Sequence, residues 1–248
     1  MPPSTNALES HLTPQLDRSR DFFWHRLRWR AVRRYVPAGT PFRLVDVGAG
    51  AGLLGEYLAA ERPEVEYRYL EPIASLEETL ERRFGPQANA RELARYEGAR
   101  LVTLLDVLEH QQDDVSFLSD LVARMEVGSR LILTVPAMPS LWSSWDESLG
   151  HYRRYTRASL TSATSRLPLR RIEMNYLFPE MVPAALLRRR RRPAGGSERA
   201  ASADVAFPEL PTSVNRAMYA CGALTQCVRQ ALPIGTSLFA ALERHGDR

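Results

Sequence analysis

The chain contains no lysine, because all 33 of its Lys+Arg residues are arginine. A phosphate-binding loop of the Gly-Lys-Ser/Thr type is therefore excluded. Cysteine is also scarce: Cys221 and Cys227 fall in one predicted helix and give neither a disulfide framework nor a metal-ligand spacing. No apolar run approaches the roughly 18 residues of a membrane span, and the polar start MPPSTNALES lacks a signal-peptide core. These absences predict a cytoplasmic protein.

The composition is that of a globular protein with a full core. Of 248 residues, 44% are hydrophobic and 25% are charged. The formal net charge of +4 arises from 33 arginines against 29 acidic residues. Arginines cluster at 26–34 and 188–192, but acidic residues are interspersed along the chain, so a solvated surface is favoured over nucleic-acid binding.

Apolar runs and helical patterns alternate along the chain. Strands are predicted at 43–47, 66–70, 89–93, 99–105, 130–135, 169–176 and 235–244, the third of them on a weak pattern. Helices are predicted at 15–36, 53–61, 73–84, after Asp113 and Asp114, at 157–166 and at 212–232. Strands that alternate with helices are joined by right-handed crossovers. The pattern therefore predicts a doubly wound α/β fold with a mostly parallel sheet.

The predicted organisation has an N-terminal lead and cap helix over residues 1–36, followed by one domain over residues 37–248. Within that domain, 137–155 is predicted to be a substrate-side loop, and the Arg-, Gly- and Ser-rich stretch 188–204 is predicted to be a flexible insertion. The last helix carries a predicted buried stripe of Val214, Met218, Cys221, Leu224, Val228 and Leu232.

The stretch LVDVGAGAGLLG, residues 44–55, reads as a strand end, a tight turn and a helix start. Glycines at 48, 50 and 52 permit positive φ and a close approach of the backbone to a ligand, so the turn predicts a nucleotide-type site. A dinucleotide fingerprint requires its third glycine where Leu53 stands. The ligand is therefore predicted not to be a dinucleotide.

The G-x-G-x-G spacing, with Asp46 before it and Glu71 at the end of the second strand, resembles class I S-adenosylmethionine-dependent methyltransferases. Four further segments, DVLEH at 106–110, FFWHRLRWR at 22–30, LWSSWDESLGHYRRYTR at 141–157 and PIGTSLFAALER at 233–244, are similar to a bacterial subgroup of small methyltransferases. The resemblance implies a Rossmann-like fold with a seven-stranded sheet and an N-terminal helical cap. It also implies methyl transfer from S-adenosylmethionine, with S-adenosylhomocysteine as the product.

The same resemblance implies roles for individual residues. Those expected to surround the methionine part of the cofactor are Asp46, Gly48, Ala49, Gly50 and Gly52. Glu71 is expected to accept hydrogen bonds from the ribose hydroxyls. Pro72 and Ile73 would line the adenine, and Asp106 and Val107 would lie beside the sulfonium. The family often has an acidic residue at the adenine amino group after its third strand, and Glu92 is near that position in the sequence without being assigned to it.

A displacement at an already activated methyl carbon requires alignment of the acceptor, with a general base only where the acceptor must lose a proton. The candidate bases are His151, ranked first, His110 and His25, with Asp146 as an acidic alternative or an orienting partner. Aromatic and cationic side chains near the same loop predict a substrate-binding set of Trp24, His25, Trp142, Trp145, Tyr152, Arg153, Arg154 and Tyr155. No metal is expected, because Asp106 with Asp113 or Asp114 is too small a ligand set.

Methylation of the exocyclic amines of nucleic-acid bases is excluded, because the chain lacks the Asn/Asp-Pro-Pro-Tyr loop typical of that reaction. Methylation of cytosine C5 is excluded because there is no Pro-Cys nucleophile. The leading prediction is O- or N-methylation of a small molecule, such as a metabolite or a natural-product intermediate. One alternative is a membrane-associated acceptor such as a lipid-linked glycan precursor, suggested by LFPEMVPAALL at 177–187 beside five arginines. Another is a methyltransferase-like protein that binds without catalysis.

Overall fold

A computed structural model of the protein describes residues 20–91, 95–190 and 210–246. Its six strands are β1 Phe42–Val47, β2 Val65–Leu70, β3 Ala99–Leu105, β4 Arg130–Pro136, β5 Leu169–Leu177 and β6 Ser237–Arg244. They form one sheet in the order β2-β1-β3-β4-β6-β5. Neighbouring strands among the first four are parallel, whereas β6 runs antiparallel to β4 and β5. The predicted mostly parallel α/β fold is confirmed.

Eight helices lie in the described residues: α1 Phe23–Val32, α2 Leu53–Glu61, α3 Ala74–Phe84, α4 Asp114–Arg124, α5 Ser144–Ser148, α6 Arg157–Thr164, α7 Val182–Arg190 and α8 Thr212–Cys227. Local capping explains several starts. The Asp113 side chain accepts a hydrogen bond from Ser116 N at 3.0 Å, and Thr156 does the same for Ser159 N. None of the described helices combines the length and the apolarity needed to cross a bilayer.

Both faces of the sheet are covered. On β4, Leu131 and Leu133 pack into one apolar cluster with α4 and α6, while Ile132 between them packs into the other, with α1 and α2. Because successive strand residues point to opposite faces, a strand buried on both sides reads as a continuous apolar run. This is why β3 and β4 were predicted with bounds that agree with the structure to within one residue.

The seventh strand is not confirmed in the described residues. Where it was predicted, Asn89 makes one isolated parallel bridge with Tyr69, and 92–94, including Glu92, lie outside those residues. The side chain of Asn89 accepts a hydrogen bond from Arg91 N at 2.9 Å. This local bond turns the backbone away from the ladder.

The predicted stripe on the last helix is wrong. Helix α8 ends at Cys227 rather than at Leu232, and Val214, Leu224 and Val228 are 42%, 71% and 55% exposed. The buried residues of α8 are instead Gly222 and Gln226. A neighbouring helix can approach closely only where the side chain is small, and Gly222 gives α8 this close approach to Leu27 of α1. Of the predicted stripe, Met218 is partly buried against the same cluster, together with Tyr219 and Ala223.

Two other segments differ from their predictions. The substrate-side loop 137–155 contains a 3-10 turn at Pro139–Leu141 and the short helix α5. The predicted insertion begins inside α7, which extends to Arg190, and the rest of it lies outside the described residues, as do residues 1–19 of the predicted lead and cap helix.

Candidate active site

One cavity of about 320 Å³ opens at the edge of the sheet where the parallel strands end. Its walls are the glycine turn after β1, the segment after β2, the segment after β3, part of α5 and the chain beyond it, and helix α1. Ligands of open α/β sheets bind at this edge, and the volume lies in the range of about 300–1,000 Å³ that small-molecule pockets have.

The glycine turn is shaped by two close contacts. Gly48, Gly50 and Gly52 have φ values of +72°, +55° and +75°, which disfavour any residue with a Cβ. A Cβ on Gly48 would lie 2.5 Å from a methyl carbon of Val107, and one on Gly52 would lie 2.5 Å from a methyl carbon of Leu80. Gly48 therefore joins the turn to the segment after β3, while Gly52 faces α3 and does not line the cavity.

Four N–H groups of the turn are engaged within the chain. Gly48 N and Ala49 N donate to the carbonyl oxygen of Leu70 at 2.8 and 3.1 Å, and Gly52 N donates to that of Ala49 at 2.9 Å. Gly50 N donates to Glu71 Oε2 at 2.7 Å. These four bonds fix the turn.

Two buried carboxylates face the cavity. Asp46 is 3% exposed and accepts hydrogen bonds from Thr103 Oγ1 at 2.6 Å and Tyr67 OH at 3.1 Å. Burial, with a contribution from the charge of Glu71, raises the pKa of Asp46 to about 6. Burial also raises the pKa of Glu71, whose second oxygen accepts a hydrogen bond from Ile73 N at 2.9 Å. In the part of the chain described, neither carboxylate forms a direct ion pair.

Asp106, which follows β3, forms an ion pair with the guanidinium of Arg28 on α1. Its other oxygen accepts a hydrogen bond from Thr134 Oγ1 at 3.0 Å. Arg28 was not among the residues predicted from the sequence. Helical spacing could have indicated it, because Trp24 and Arg28 lie one turn apart on the cavity side of α1.

Backbone strain collects at the same edge. The non-glycine residues with positive φ in the described chain are Asp106, Met138 and Phe178, at 56°, 58° and 57°. Each follows the end of a strand, β3, β4 or β5, on the cavity side of the sheet. Such conformations cost about 1–3 kcal/mol each and persist where the surroundings enforce them, commonly at ligand sites.

A second group of polar residues lines the same cavity. The ring of His110 contacts the ring of His151 edge to face, with 4.8 Å between centroids. His151 Nδ1 donates to Asp146 Oδ1 at 3.0 Å, and Arg154 Nε donates to the same oxygen at 2.7 Å. Burial alone would raise the pKa of Asp146, but the hydrogen bond from His151 and the charge of Arg154 outweigh it and lower the pKa.

Glu109 completes this group and was also missed by the sequence analysis. Its side chain is 1% exposed, and burial, together with the charge of Asp106, raises its pKa well above the usual range. The segment DVLEH could have indicated Glu109, because Asp106, Glu109 and His110 follow the same strand and all line the cavity.

The predicted site residues divide into two sets. Those that line the cavity are Asp46, Gly48, Ala49, Gly50, Glu71, Pro72, Ile73, Asp106, Val107, His110, His151, Trp24, His25 and Trp145, with Arg154 beside them. Asp146 lies directly behind His151. The cavity lining does not include Gly52, Trp142, Tyr152, Arg153 or Tyr155.

The predicted substrate residues outside the cavity have structural contacts. Arg153 forms an ion pair with Asp114 Oδ1 at 2.6 Å, and Tyr155 OH donates to the other oxygen of Asp114 at 2.7 Å. Trp142 donates to Glu147 at 3.2 Å, and Tyr152 is 37% exposed. Arg153 and Tyr155 thus attach the loop to the N-terminus of α4.

No family model and no curated protein sequence matches the chain. Solved structures do match. A chain from the complex of the Haloferax volcanii Trm112 methyltransferase activator with a methyltransferase has a TM-score of 0.59 at 11% identity, over 98% of this chain and 96% of that one.

Two other structures are similar over most of this chain. Phosphoethanolamine N-methyltransferase 2 of Haemonchus contortus, bound to phosphomonomethylethanolamine and S-adenosylhomocysteine, has a TM-score of 0.57 at 13% identity, and the match covers 90% of this chain but 53% of that enzyme. Geranyl diphosphate C-methyltransferase of Streptomyces coelicolor has a TM-score of 0.52 at 14% identity, over 88% and 81%. At these identities the likeness concerns the fold alone. The chain has the fold of class I S-adenosylmethionine-dependent methyltransferases.

Proposed function

We propose that the protein transfers a methyl group from S-adenosylmethionine to an oxygen or nitrogen atom of a small-molecule acceptor. The observation that carries the proposal is the placement of Asp46 and Glu71, both buried, beside a left-handed glycine turn on one cavity. Two buried carboxylates without a paired cation suit a ligand that brings positive charge and hydroxyl groups.

The cavity residues fit each part of this cofactor. Glu71 offers two carboxylate oxygens to the ribose hydroxyls. Asp46 and Asp106 provide negative charge for the ammonium and the sulfonium, and Pro72 and Ile73 offer an apolar surface to the adenine. Arg28, which lines the same cavity, has the planar guanidinium that binds a carboxylate. When bound, the cofactor supplies an activated methyl group, so no covalent enzyme intermediate is needed.

The residues beyond Asp106 would then position the acceptor. The low pKa of Asp146 keeps it ionised, so the proton of the His151–Asp146 hydrogen bond belongs to Nδ1 of His151. In the neutral ring Nε2 then carries the lone pair and can accept a proton from an acceptor hydroxyl. Trp24 and Trp145 supply apolar and aromatic walls on this side.

Calorimetric titration with S-adenosylmethionine and S-adenosylhomocysteine tests the proposal. The wild type should bind both. Replacing Gly50 by valine should weaken binding at least 100-fold, since a β-branched residue does not tolerate positive φ. Gly128 provides a matched control, because it also has positive φ but lies in open space away from the cavity. A wild type that binds neither compound would refute the proposal.

A membrane-associated acceptor is favoured by one observation. Ala185 on α7 lines the cavity, while the next residues, Leu186 and Leu187, are 42% and 56% exposed. An acceptor held in a bilayer would reach the cavity past these side chains. Cosedimentation with anionic liposomes should decrease in the double variant L186S/L187S, and equal cosedimentation of the variant and the wild type would argue against this acceptor class. Release of S-adenosylhomocysteine with any acceptor would exclude a purely non-catalytic protein.

A further inference from the structure

Glu109, His110 and His151 bring three metal-binding side chains to one point of the cavity wall. One nitrogen from each ring and one carboxylate oxygen of Glu109 all lie within 4.8 Å of one another. His110 and Glu109 are adjacent in the turn after β3, whereas His151 comes from the loop after α5. The cluster is therefore built by tertiary structure and not by a sequence motif.

Glu109 gives an independent indication of a ligand. Its side chain is 1% exposed and lines the cavity, and its Oε2 atom has no hydrogen-bond partner in the described part of the chain. A buried carboxylate oxygen without a partner is costly. A cation in the cavity would remove that cost.

The surroundings of His151 provide a further indication. Histidines that bind metals usually donate their other ring N–H to a carboxylate, which fixes the ring and makes the ligating nitrogen more basic. His151 makes this contact with Asp146. Arg154 Nε donates a hydrogen bond to Asp146 Oδ1 at 2.7 Å, which holds the carboxylate in place. The ring is held with its remaining nitrogen available.

We infer that Glu109, His110 and His151 form a binding site for a divalent transition-metal ion at the acceptor end of the cavity. Two imidazoles and one carboxylate are the ligand set of catalytic zinc sites that keep an open position. Ligands about 2.1 Å from an ion are at most about 4.2 Å apart, so any pair of these atoms that is farther apart than that would have to move closer on binding.

The site indicates a class of acceptor. This step rests on the proposed function. An ion with an open position binds an acceptor oxygen and lowers the pKa of its hydroxyl group, so the acceptor would be a hydroxyl compound, with oxygen rather than nitrogen methylated. His151 would then act as a ligand, and the proton of the hydroxyl would leave to solvent instead of to the ring.

Titration of metal-free, full-length protein with Co²⁺ tests the site through its visible absorption bands, with Zn²⁺ competition as a second readout. The wild type should bind one Co²⁺ per chain, and Zn²⁺ should displace it. Variants E109Q, H110Q and H151Q should each lose at least 100-fold in affinity, and D146N should lose about 10–100-fold. His245, an exposed histidine away from the cavity, is the matched control, and H245Q should titrate like the wild type.

S-adenosylhomocysteine binding on the same variants separates loss of metal from loss of fold, since none of the three ligands contributes to the predicted cofactor contacts. The metal site would be refuted if the wild type did not bind Co²⁺. It would also be refuted if E109Q and H151Q both bound Co²⁺ as tightly as the wild type does. Intact Co²⁺ binding without binding of S-adenosylmethionine would refute the proposed function and leave the metal site standing.

Discussion

The carboxylate of Glu71, at the end of β2, accepts a hydrogen bond from the backbone N–H of Gly50 at 2.7 Å. This bond links two adjacent parallel strands at the point where both end. The residue proposed to bind the ribose therefore also holds the turn that shapes the rest of the cavity. A substitution at Glu71 has a structural effect and a binding effect that can be measured separately.

We expect Glu71→Gln to lower the affinity for S-adenosylmethionine by about 10–100-fold, corresponding to about 1.4–2.8 kcal/mol. In the wild type each oxygen of Glu71 accepts a hydrogen bond from one backbone N–H, that of Gly50 or that of Ile73. A glutamine side chain has only one oxygen, so it cannot make both of these bonds in the same way. Calorimetry gives the affinity and thermal unfolding gives the stability. Glu81, exposed on α3, is the control. Equal affinities for E71Q and E81Q would contradict the assignment.

Asp46 makes stability depend on pH. Its pKa rises from 3.8 to about 6 in the folded protein, so between these values the native state retains a proton that the unfolded state has lost. The free energy of unfolding therefore falls as pH rises through this interval, and the contribution lost by pH 7 is of the order of 3 kcal/mol.

Asp46→Asn should remove this dependence while weakening cofactor binding. Relative to the wild type, the Tm of D46N should rise by several degrees between pH 4.5 and pH 7.5, because only the wild type has to ionise a buried group. Differential scanning fluorimetry at the two pH values measures the change. Asp120→Asn, on the exposed side of α4, should show no such trend. A constant difference between D46N and the wild type would show that the group does not titrate in this range.

Arg28→Gln should weaken cofactor binding more than it destabilises the fold. The Arg28–Asp106 pair is partly buried, with side-chain exposures of 20% and 28%. Without Arg28, Asp106 keeps the hydrogen bond from Thr134 Oγ1 and still faces the open cavity, which limits the loss of stability. Removal of the guanidinium would leave Asp106 without a paired cation and the cofactor carboxylate without the group proposed to bind it. We expect an affinity loss of about 10-fold or more. Arg30 is on the same helix but does not line the cavity, so R30Q should bind like the wild type. Indistinguishable affinities for R28Q and R30Q would contradict the role of Arg28.

Gly222→Ala should destabilise the protein although alanine is the better helix former. A Cβ at this position would lie 2.2 Å from a methyl carbon of Leu27. We expect a loss of about 1–3 kcal/mol from overpacking, seen as a lower Tm. On the same helix, Leu224→Ala should change stability by less than about 0.5 kcal/mol, since Leu224 is 71% exposed. A larger loss of stability in L224A than in G222A would support the predicted apolar stripe instead.

Local patterns explain what was predictable from the sequence. Helix α2 has the predicted bounds, 53–61, because a glycine precedes it and an apolar face runs along it. Strand β3 agrees because it is mostly apolar and Asp106 follows its last residue, Leu105. The resemblance to methyltransferases selected Glu71, and Glu71 lies beside the glycine turn because the carboxyl ends of adjacent parallel strands meet at one edge of a sheet.

The missed features depend on contacts between distant residues. Arg28 and Asp106 are 78 positions apart, and Glu109 meets His151 only after the loop beyond β4 has folded back. Periodicity assigned an apolar face to α8, but it could not show that α1 approaches through Gly222. At Asn89, a side-chain hydrogen bond to the backbone of Arg91 competes with the predicted strand.

Helix α1 closes one side of the cavity, and it is attached through α8. Phe23 N donates to Asn215 Oδ1 at 2.8 Å, and Gln226 Nε2 donates to the carbonyl oxygen of Leu27 at 2.7 Å. Two side chains of α8 thus fix where α1 lies along the cavity wall, although neither of them lines the cavity. A substitution at Asn215 or Gln226 would therefore change ligand affinity from outside the site, by shifting the helix that carries Arg28.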